Sequence, residues 1–315
     1  MFEVMSITGV VFVIVALGYV SVRLSLFSPD DMRVFGKFVV NFALPALVFR
    51  AVSGRNLGEI LDVACLVAYG VGSVAMFGVG YAASRRMGGL SRAAATFQGM
   101  GMSCPNSGFF GYPILLMAVP ALASTTLALC MVIENLILIP LVLVMAERSA
   151  GDGGGGWGLA ARIAGRVARN PIVVALLLGL AVSMSGLALP GVITEPIRLI
   201  AGASAAVSLF VIGGTLGGLS FRSLDTRWVP VVAGKLVAHP LAVWLVMTAA
   251  GALGLVAADP TLAHATILVA AMPTMGIYTI LAQRYGQQDA AALAMLMMTT
   301  LSFLTISAFL WLLLP

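Results

Sequence analysis

Asn106, Ser107 and Gly108 follow directly on Pro105, deep inside an apolar stretch. Proline removes a backbone donor and clashes with the turn before it, so a helix through Pro105 must break or kink. The half-helix that restarts at Asn106 opens with N–H groups carrying roughly half a positive charge, a natural place for an anion. Pro273-Thr274-Met275-Gly276 repeats the arrangement later in the chain. Two such ends facing each other favour a carboxylate without any buried Arg or Lys. Asn106 and Ser107 add side-chain donors from one half, and Thr274, Tyr278 and Thr279 from the other. For Thr279 a bond to its own helix backbone is the better reading.

Five further polar residues fall in apolar stretches. Glu134, beside Asn135, lies where an ionised carboxylate is expensive, so it needs protonation or a partner. It is the best candidate for a coupling proton, with a structural hydrogen bond as the equal alternative. Lys235 and His239 share a helical face. Lys235 reads as snorkelling to the inner headgroups and His239 as a packed histidine before Pro240, or both as part of the coupling machinery. Asn41, one turn before Pro45, can line a cavity. Neither stretch around Pro105 or Pro273 holds an Asp or Glu, which argues for an organic anion over a cation as cargo. His239 and His264 are the only histidines. There is no His-Glu-x-x-His, Cys-x-x-Cys or Gly-x-x-x-x-Gly-Lys pattern, so no catalytic, metal or cofactor site is expected.

The elements that must position these residues are membrane helices. Hydrophobic residues make up 61% of the chain and charged ones 9%, with mean hydropathy +1.08. A soluble domain would carry about a quarter charged residues. Cys65, Cys104 and Cys130 lie in apolar segments and read as small buried hydrophobes. The first apolar run lacks the basic start and cleavage site of a signal peptide, so it is expected to stay in the mature protein. Windows of about 20 apolar residues place spans near 4–22, 35–52, 60–83, 93–117, 125–146, 171–185, 197–219, 229–253, 262–282 and 290–314. A net charge of +5 does not point to nucleic acid, because the basic residues flank spans. With the N-terminus outside, the inner side receives Arg23, Arg33, Lys37, Arg85, Arg86, Arg92, Arg148, Arg162, Arg166, Arg169, Arg222, Arg227 and Arg284. Only Arg50, Arg55 and Arg198 fall outside, so both termini are expected to be non-cytoplasmic. The connector holding Gly153–Gly156 is then cytoplasmic. Its Arg162, Arg166 and Arg169, with Trp157, Leu159 and Ile163, suit a short helix on the inner leaflet or a solvated linker.

Pro105 and Pro273 are 168 residues apart, and the same offset carries Pro45 onto Gly213 of the Gly213-Gly214 pair, both helix-weakening positions near the middle of their spans. Two halves of five spans must enter the membrane with opposite orientation. The expectation is an all-α polytopic membrane protein of ten transmembrane helices in two inverted five-helix repeats, residues 1–150 and 171–315, joined by a cytoplasmic linker, 151–170. The broken fourth and ninth helices then cross at mid-membrane with the site where they meet.

Asn41-Phe-Ala-Leu-Pro45-Ala-Leu-Val-Phe49, Asn106-Ser-Gly-Phe-Phe-Gly-Tyr-Pro113 and Ala282-Gln-Arg-Tyr-Gly286 resemble the auxin efflux carrier family, which includes plant auxin exporters and bacterial malonate-type permeases. The seventh span, from Gly202 to Gly214, and Lys235 fit its pattern too. The resemblance implies the ten-span crossover fold, transport of small organic carboxylates and a homodimer. It puts the crossover asparagine at Asn106 and the crossover proline of the second half at Pro273. Cys104-Pro105 ahead of Asn106 departs from the family pattern, and the missing long plant-type loop favours a bacterial permease of the inner membrane. The expected function is a secondary transporter for a small organic anion, coupled to a proton or sodium ion. The alternatives are a cation-coupled antiporter on the same scaffold and a non-transporting membrane sensor or assembly subunit.

The orientation is testable. A membrane-impermeant thiol reagent added outside is expected to label cysteines engineered near Ala121 and Asp259 but not near Gly154. Labelling at Gly154 from outside would overturn it.

Overall fold

The computed structural model describes residues 2–54, 62–149, 156–218, 228–255 and 259–313. Gly153, Gly154, Gly155, Arg55, Arg222 and Arg227 lie outside the described residues, as do the side chains of Trp157 and Leu159. Among the described residues the chain is helical, with one isolated bridge and no strand. Helices α1 (Phe2–Arg23), α2 (Pro29–Phe38), α3 (Leu44–Ser53), α4 (Val63–Arg86), α5 (Arg92–Ser103), α6 (Tyr112–Ala118), α7 (Pro120–Ile133) and α8 (Ile139–Ser149) form the first half. The second half holds α9 (Gly156–Ala168), α10 (Pro171–Ser185), α11 (Gly191–Gly202), α12 (Ser204–Gly217), α13 (Trp228–Ala233), α14 (His239–Ala252), α15 (Pro260–Ala270), α16 (Ile277–Arg284) and α17 (Gln288–Leu313).

Four widened, π-helical turns interrupt this succession, at Val39–Ala43, Ser107–Gly111, Glu134–Leu138 and Gly234–Ala238. In three of them a backbone hydrogen bond reaches five residues back: Leu44 to Val39, Ile139 to Glu134 and His239 to Gly234. Each turn begins six residues before a proline: Pro45, Pro113, Pro140 or Pro240. Proline leaves the carbonyl four residues back without its donor and crowds it. One extra residue in the preceding turn shifts that carbonyl aside and lets the helix continue.

Among the described residues, seven helices are long and apolar enough to cross a bilayer, or eight if Ala161–Ala168 and Pro171–Ser185 count as one span. Ten windows were expected. The difference lies at the fourth and ninth, where Pro105 and Pro273 cut the apolar run into short pieces. At roughly 1.5 Å per residue, the 11 residues of α15 reach about half of a hydrocarbon core of ~30 Å. The sixth, α10, has only 15 residues. The seventh also differs. Its helix runs unbroken through Gly213-Gly214, and the break falls at Ala203, so the glycine pair is not a weak point.

The chain divides into two compact units, each drawing on both halves of the sequence. The first comprises residues 1–62, 107–131 and 168–220. Its centre is the α1–α12 pair, and the glycines explain that contact. A Cβ at Gly213 would lie 1.8 Å from the Val15 carbonyl oxygen, and one at Gly18 would lie 2.0 Å from that of Phe210. Such backbone approach is the usual way membrane helices gain packing without a hydrophobic driving force. Gly214 admits Met32 of α2, and Phe27, Phe35 and Phe210 meet edge to face at 5.6–6.3 Å.

The second unit comprises residues 63–106, 132–167 and 221–315. There α4 packs on α14 through Gly72, whose Cβ would meet Val243 at 2.9 Å, and on α5 through Gly99, set against the Phe77 carbonyl. Gly286, at φ +69°, closes α16 and lets Gln287 bond back to the Ala282 carbonyl. That is the local role of the last glycine in the Ala282–Gly286 motif.

Gly213→Ala is expected to destabilise the protein by about 1–3 kcal/mol through overpacking, seen as an earlier unfolding transition in detergent. Gly9→Ala, on α1 with no atom within 4 Å, is expected to be neutral or slightly stabilising. Equal effects of the two would remove the close-packing account.

Candidate functional site

Proline chemistry sets the geometry of the crossover in the second unit. The residue before a proline is pushed out of the helical region, and Cys104 is extended, at φ −106° and ψ 94°, which ends α5 at Ser103. Ahead of Pro273, α15 has already closed at Ala270. The two extended pieces pair antiparallel, with Pro105 opposite Thr274. Asn106 N–H donates to the Pro273 carbonyl at 2.8 Å and Met275 N–H to that of Cys104 at 3.1 Å. The Thr274 hydroxyl adds a third bond to the Cys104 carbonyl at 3.0 Å. Pro105 occupies a position where the ladder asks for no N–H, whereas Pro273 gives its carbonyl to Asn106 and has no N–H to return, so the ladder stops there. The backbone groups freed by one break are thus satisfied by the other, the requirement for irregular backbone at membrane depth.

This pairing narrows the anion site expected from the sequence. The N–H groups of Asn106 and Met275 are engaged in the ladder, so any backbone donors for a ligand come from later in each restart. Asn106 and Thr274 are buried, and Tyr278 is buried with its ring against Gly101. Gly276 is half-buried at the start of α16, and Thr279 donates to its carbonyl at 3.1 Å. Ser107 and Gly108 belong to the first unit, both buried. A Cβ at Gly108 would meet Leu44 and Met131 at 2.8 Å. Asn41, also in the first unit, is exposed and donates to the Lys37 carbonyl one turn back at 2.8 Å.

A second polar cluster is assembled in the same unit by two of the widened turns. Lys235 does not snorkel: it is fully buried, as are His239, Tyr69 and Ser73. Its ammonium donates to the Ala270 carbonyl at 2.5 Å and lies 3.0 Å from His239 Nδ1. His239 Nε2 lies 2.8 Å from Ser73 Oγ. An ammonium has no acceptor, so Nδ1 must accept, the ring proton sits on Nε2 and the ring donates to Ser73. Ala270 ends α15, where carbonyls lack helical donors and the dipole is negative, so Lys235 caps the half-helix that leads into the crossover. One turn from Ser73, Tyr69 donates to Glu134 Oε1 at 2.5 Å, and its ring lies 6.3 Å from that of His239. Glu134 and Asn135 are both buried in the widened turn before Pro140.

Sequence reasoning missed Tyr69, Ser73 and the Ala270 carbonyl. Tyr69 and Ser73 carry a signal in retrospect. They stand one turn apart in an apolar span, as Lys235 and His239 do in theirs, and paired polar residues at that spacing form one face. All three thiols are buried, as small hydrophobes should be.

Residues 4–153 and 161–312 match the family described as Membrane transport protein. A Rhizobium meliloti (strain 1021) protein named "Putative malonate transporter" is 29% identical over 311 residues, covering 97% of this chain and 95% of its own. The uncharacterized transporter YfdV of Escherichia coli (strain K12) is 32% identical over 246 residues, 75% of this chain and 76% of its own. An uncharacterized transporter of Methanothermobacter thermautotrophicus is 27% identical over 225 residues, 68% and 67% of the two chains.

Thr274→Val keeps the shape of the crossover and removes its side-chain bond. A loss of about 0.5–1.5 kcal/mol in unfolding free energy is expected, with Thr274→Ser close to wild type. A valine variant as stable as wild type would show that the two backbone bonds suffice.

Proposed function

Because this chain belongs to the membrane transport protein family, and so is a multi-pass membrane transporter and not an enzyme, we propose that it moves a small organic anion, a mono- or dicarboxylate, by alternating access. The relative named for malonate supports the dicarboxylate class. The cargo's carboxylate is held at the crossover of the second unit by Asn106, Thr274 and the first turn of α16.

The observation that carries this reading is the pairing of Pro105 with Thr274. Under the 168-residue offset Pro105 corresponds to Pro273 and Asn106 to Thr274. Exchanging each residue for its counterpart turns the pair Pro105–Thr274 into Pro273–Asn106, which is the neighbouring pair of the same ladder. A pairing that maps onto itself is what two inverted repeats produce at their axis. It supports ten spans in two five-helix repeats, 1–150 and 171–315, about the linker 151–170. The chain then sits in a bacterial inner membrane with both termini periplasmic, as a homodimer. The buried carboxylate of Glu134 supports a coupled proton, and also keeps a cation-coupled antiporter as the second reading; the charge of the accumulated species separates the two.

Purified protein in proteoliposomes is expected to accumulate at least one of acetate, pyruvate, malonate and succinate. Asn106→Ala is expected to weaken binding of that anion by about 1–3 kcal/mol, the loss of a hydrogen bond to a charged group. That is roughly a ten- to hundredfold rise in Kd, measured by calorimetry on monodisperse protein. Undiminished affinity in a well-folded variant would move the site away from Asn106.

A further inference from the structure

Lys235 is the one Lys or Arg that is fully buried among the described residues. Its hydrogen bonds go to neutral groups, His239 Nδ1 and the Ala270 carbonyl, and the ion pairs among the described residues, Arg33–Asp30 and Arg198–Glu195, lie elsewhere. A buried ion without a compensating charge is strongly disfavoured. The carboxylate within electrostatic reach is Glu134, itself buried and bonded to Tyr69.

We propose that Lys235 is the fixed counter-charge for the transported anion, and that Glu134 balances it only while the site is empty. This rests on the organic-anion reading. When the anion enters, Glu134 takes up one proton from the solvent, its carboxylate becoming a neutral carboxylic acid, and the anion becomes the partner of Lys235. When the anion leaves, the proton leaves. Tyr69 is a positioning residue: its hydroxyl donates to Oε1 whether Oε2 is ionised or protonated. His239 and Ser73 hold the ammonium on the end of α15, next to the crossover. A monoanion and one proton then move together with no net charge.

The other titratable groups near the pair are Cys104, at the break after α5, and His239, both within electrostatic reach of Lys235. Helix α4 carries Cys65 and Tyr69. Helix α15 carries His264, α16 carries Tyr278 and, at its end, Arg284, and α7 carries Cys130; α13 carries no ionisable side chain, α17 has none from Ala290 onward, Arg92 lies at the far end of α5, Tyr81, Arg85 and Arg86 toward the far end of α4, and Glu147 and Arg148 at the far end of α8. Asp62, also buried, precedes Tyr69 by about two turns. None of these carries a second fixed positive charge inside the cluster. Anion affinity is therefore expected to rise as pH falls through the titration of Glu134, by up to about tenfold per unit for one linked proton.

The test uses full-length protein in detergent, with Lys235→Met, Glu134→Gln and the double variant. Without ligand, the double variant is expected to unfold nearer to wild type than either single one does, because neither charge is then left alone. Additive losses would overturn the pairing. With the same four carboxylates in weakly buffered solution, wild type is expected to take up about one proton per anion bound. Glu134→Gln is expected to bind without proton uptake and with pH-independent affinity, and Lys235→Met to bind at least about tenfold more weakly. Anion binding by wild type without proton uptake overturns this inference and leaves the anion reading standing. Rescue in the double variant with no anion bound sinks the anion reading and the counter-charge role together.

Discussion

A carbonyl that loses its helical donor inside a bilayer has no water to turn to, and every proline inside a spanning helix creates one. At six prolines the structure meets that constraint in two ways, while Pro196 sits inside α11 without a widened turn. At Pro105 and Pro273 the helix stops, and the two extended ends bond to each other through Asn106, Met275 and Thr274. Ahead of Pro45, Pro113, Pro140 and Pro240 the chain widens by one residue and continues as helix. The choice follows from what lies nearby. In the second unit each proline break supplies the partners of the other.

The widened turns do more than rescue the backbone. A turn with an extra residue displaces the side chains at its start from the regular helical face. Glu134 and Asn135 open one such turn, and Lys235 and His239 bracket another. Two of these groups meet α4, Glu134 at Tyr69 and His239 at Ser73, at 2.5 and 2.8 Å. The prolines fix where the polar cluster forms, although none of them belongs to it. The cluster then reaches the crossover through backbone: Lys235 caps α15, and α15 ends at the break.

A transporter needs an interior that is polar enough to bind cargo and dry enough to discriminate. In the second unit the buried polar side chains around the crossover find partners on neighbouring helices. The first unit contains no comparable cluster of charged side chains among its described residues. Its packing rests on glycines that let α1 and α12 touch backbone to backbone. The first unit is held by close backbone contact, and the second by close contact together with satisfied polar groups.

Membrane class, family and the breaks at Pro105 and Pro273 were legible in the sequence, because hydropathy and proline act locally on the chain that carries them. Pro105 and Pro273 announced two breaks, and their fixed offset announced that the breaks belong together. Glu134 and Lys235 were visible as charges in apolar stretches. What they touch was not visible, since their partners Tyr69 and Ala270 lie 65 and 35 residues away, and local spacing holds no information about which helix face will meet which. Lys235 read as a snorkelling side chain because its distance from the end of a span was known and its direction was not. Gly213-Gly214 read as a weak point because glycine lowers helix propensity, whereas the close approach of α1 gives the pair its purpose. Only the tertiary structure decided that the first N–H of the restarted half-helix, at Asn106, bonds to Pro273 and not to a ligand. Local chemistry creates unsatisfied groups, and three-dimensional packing alone determines which of them find each other.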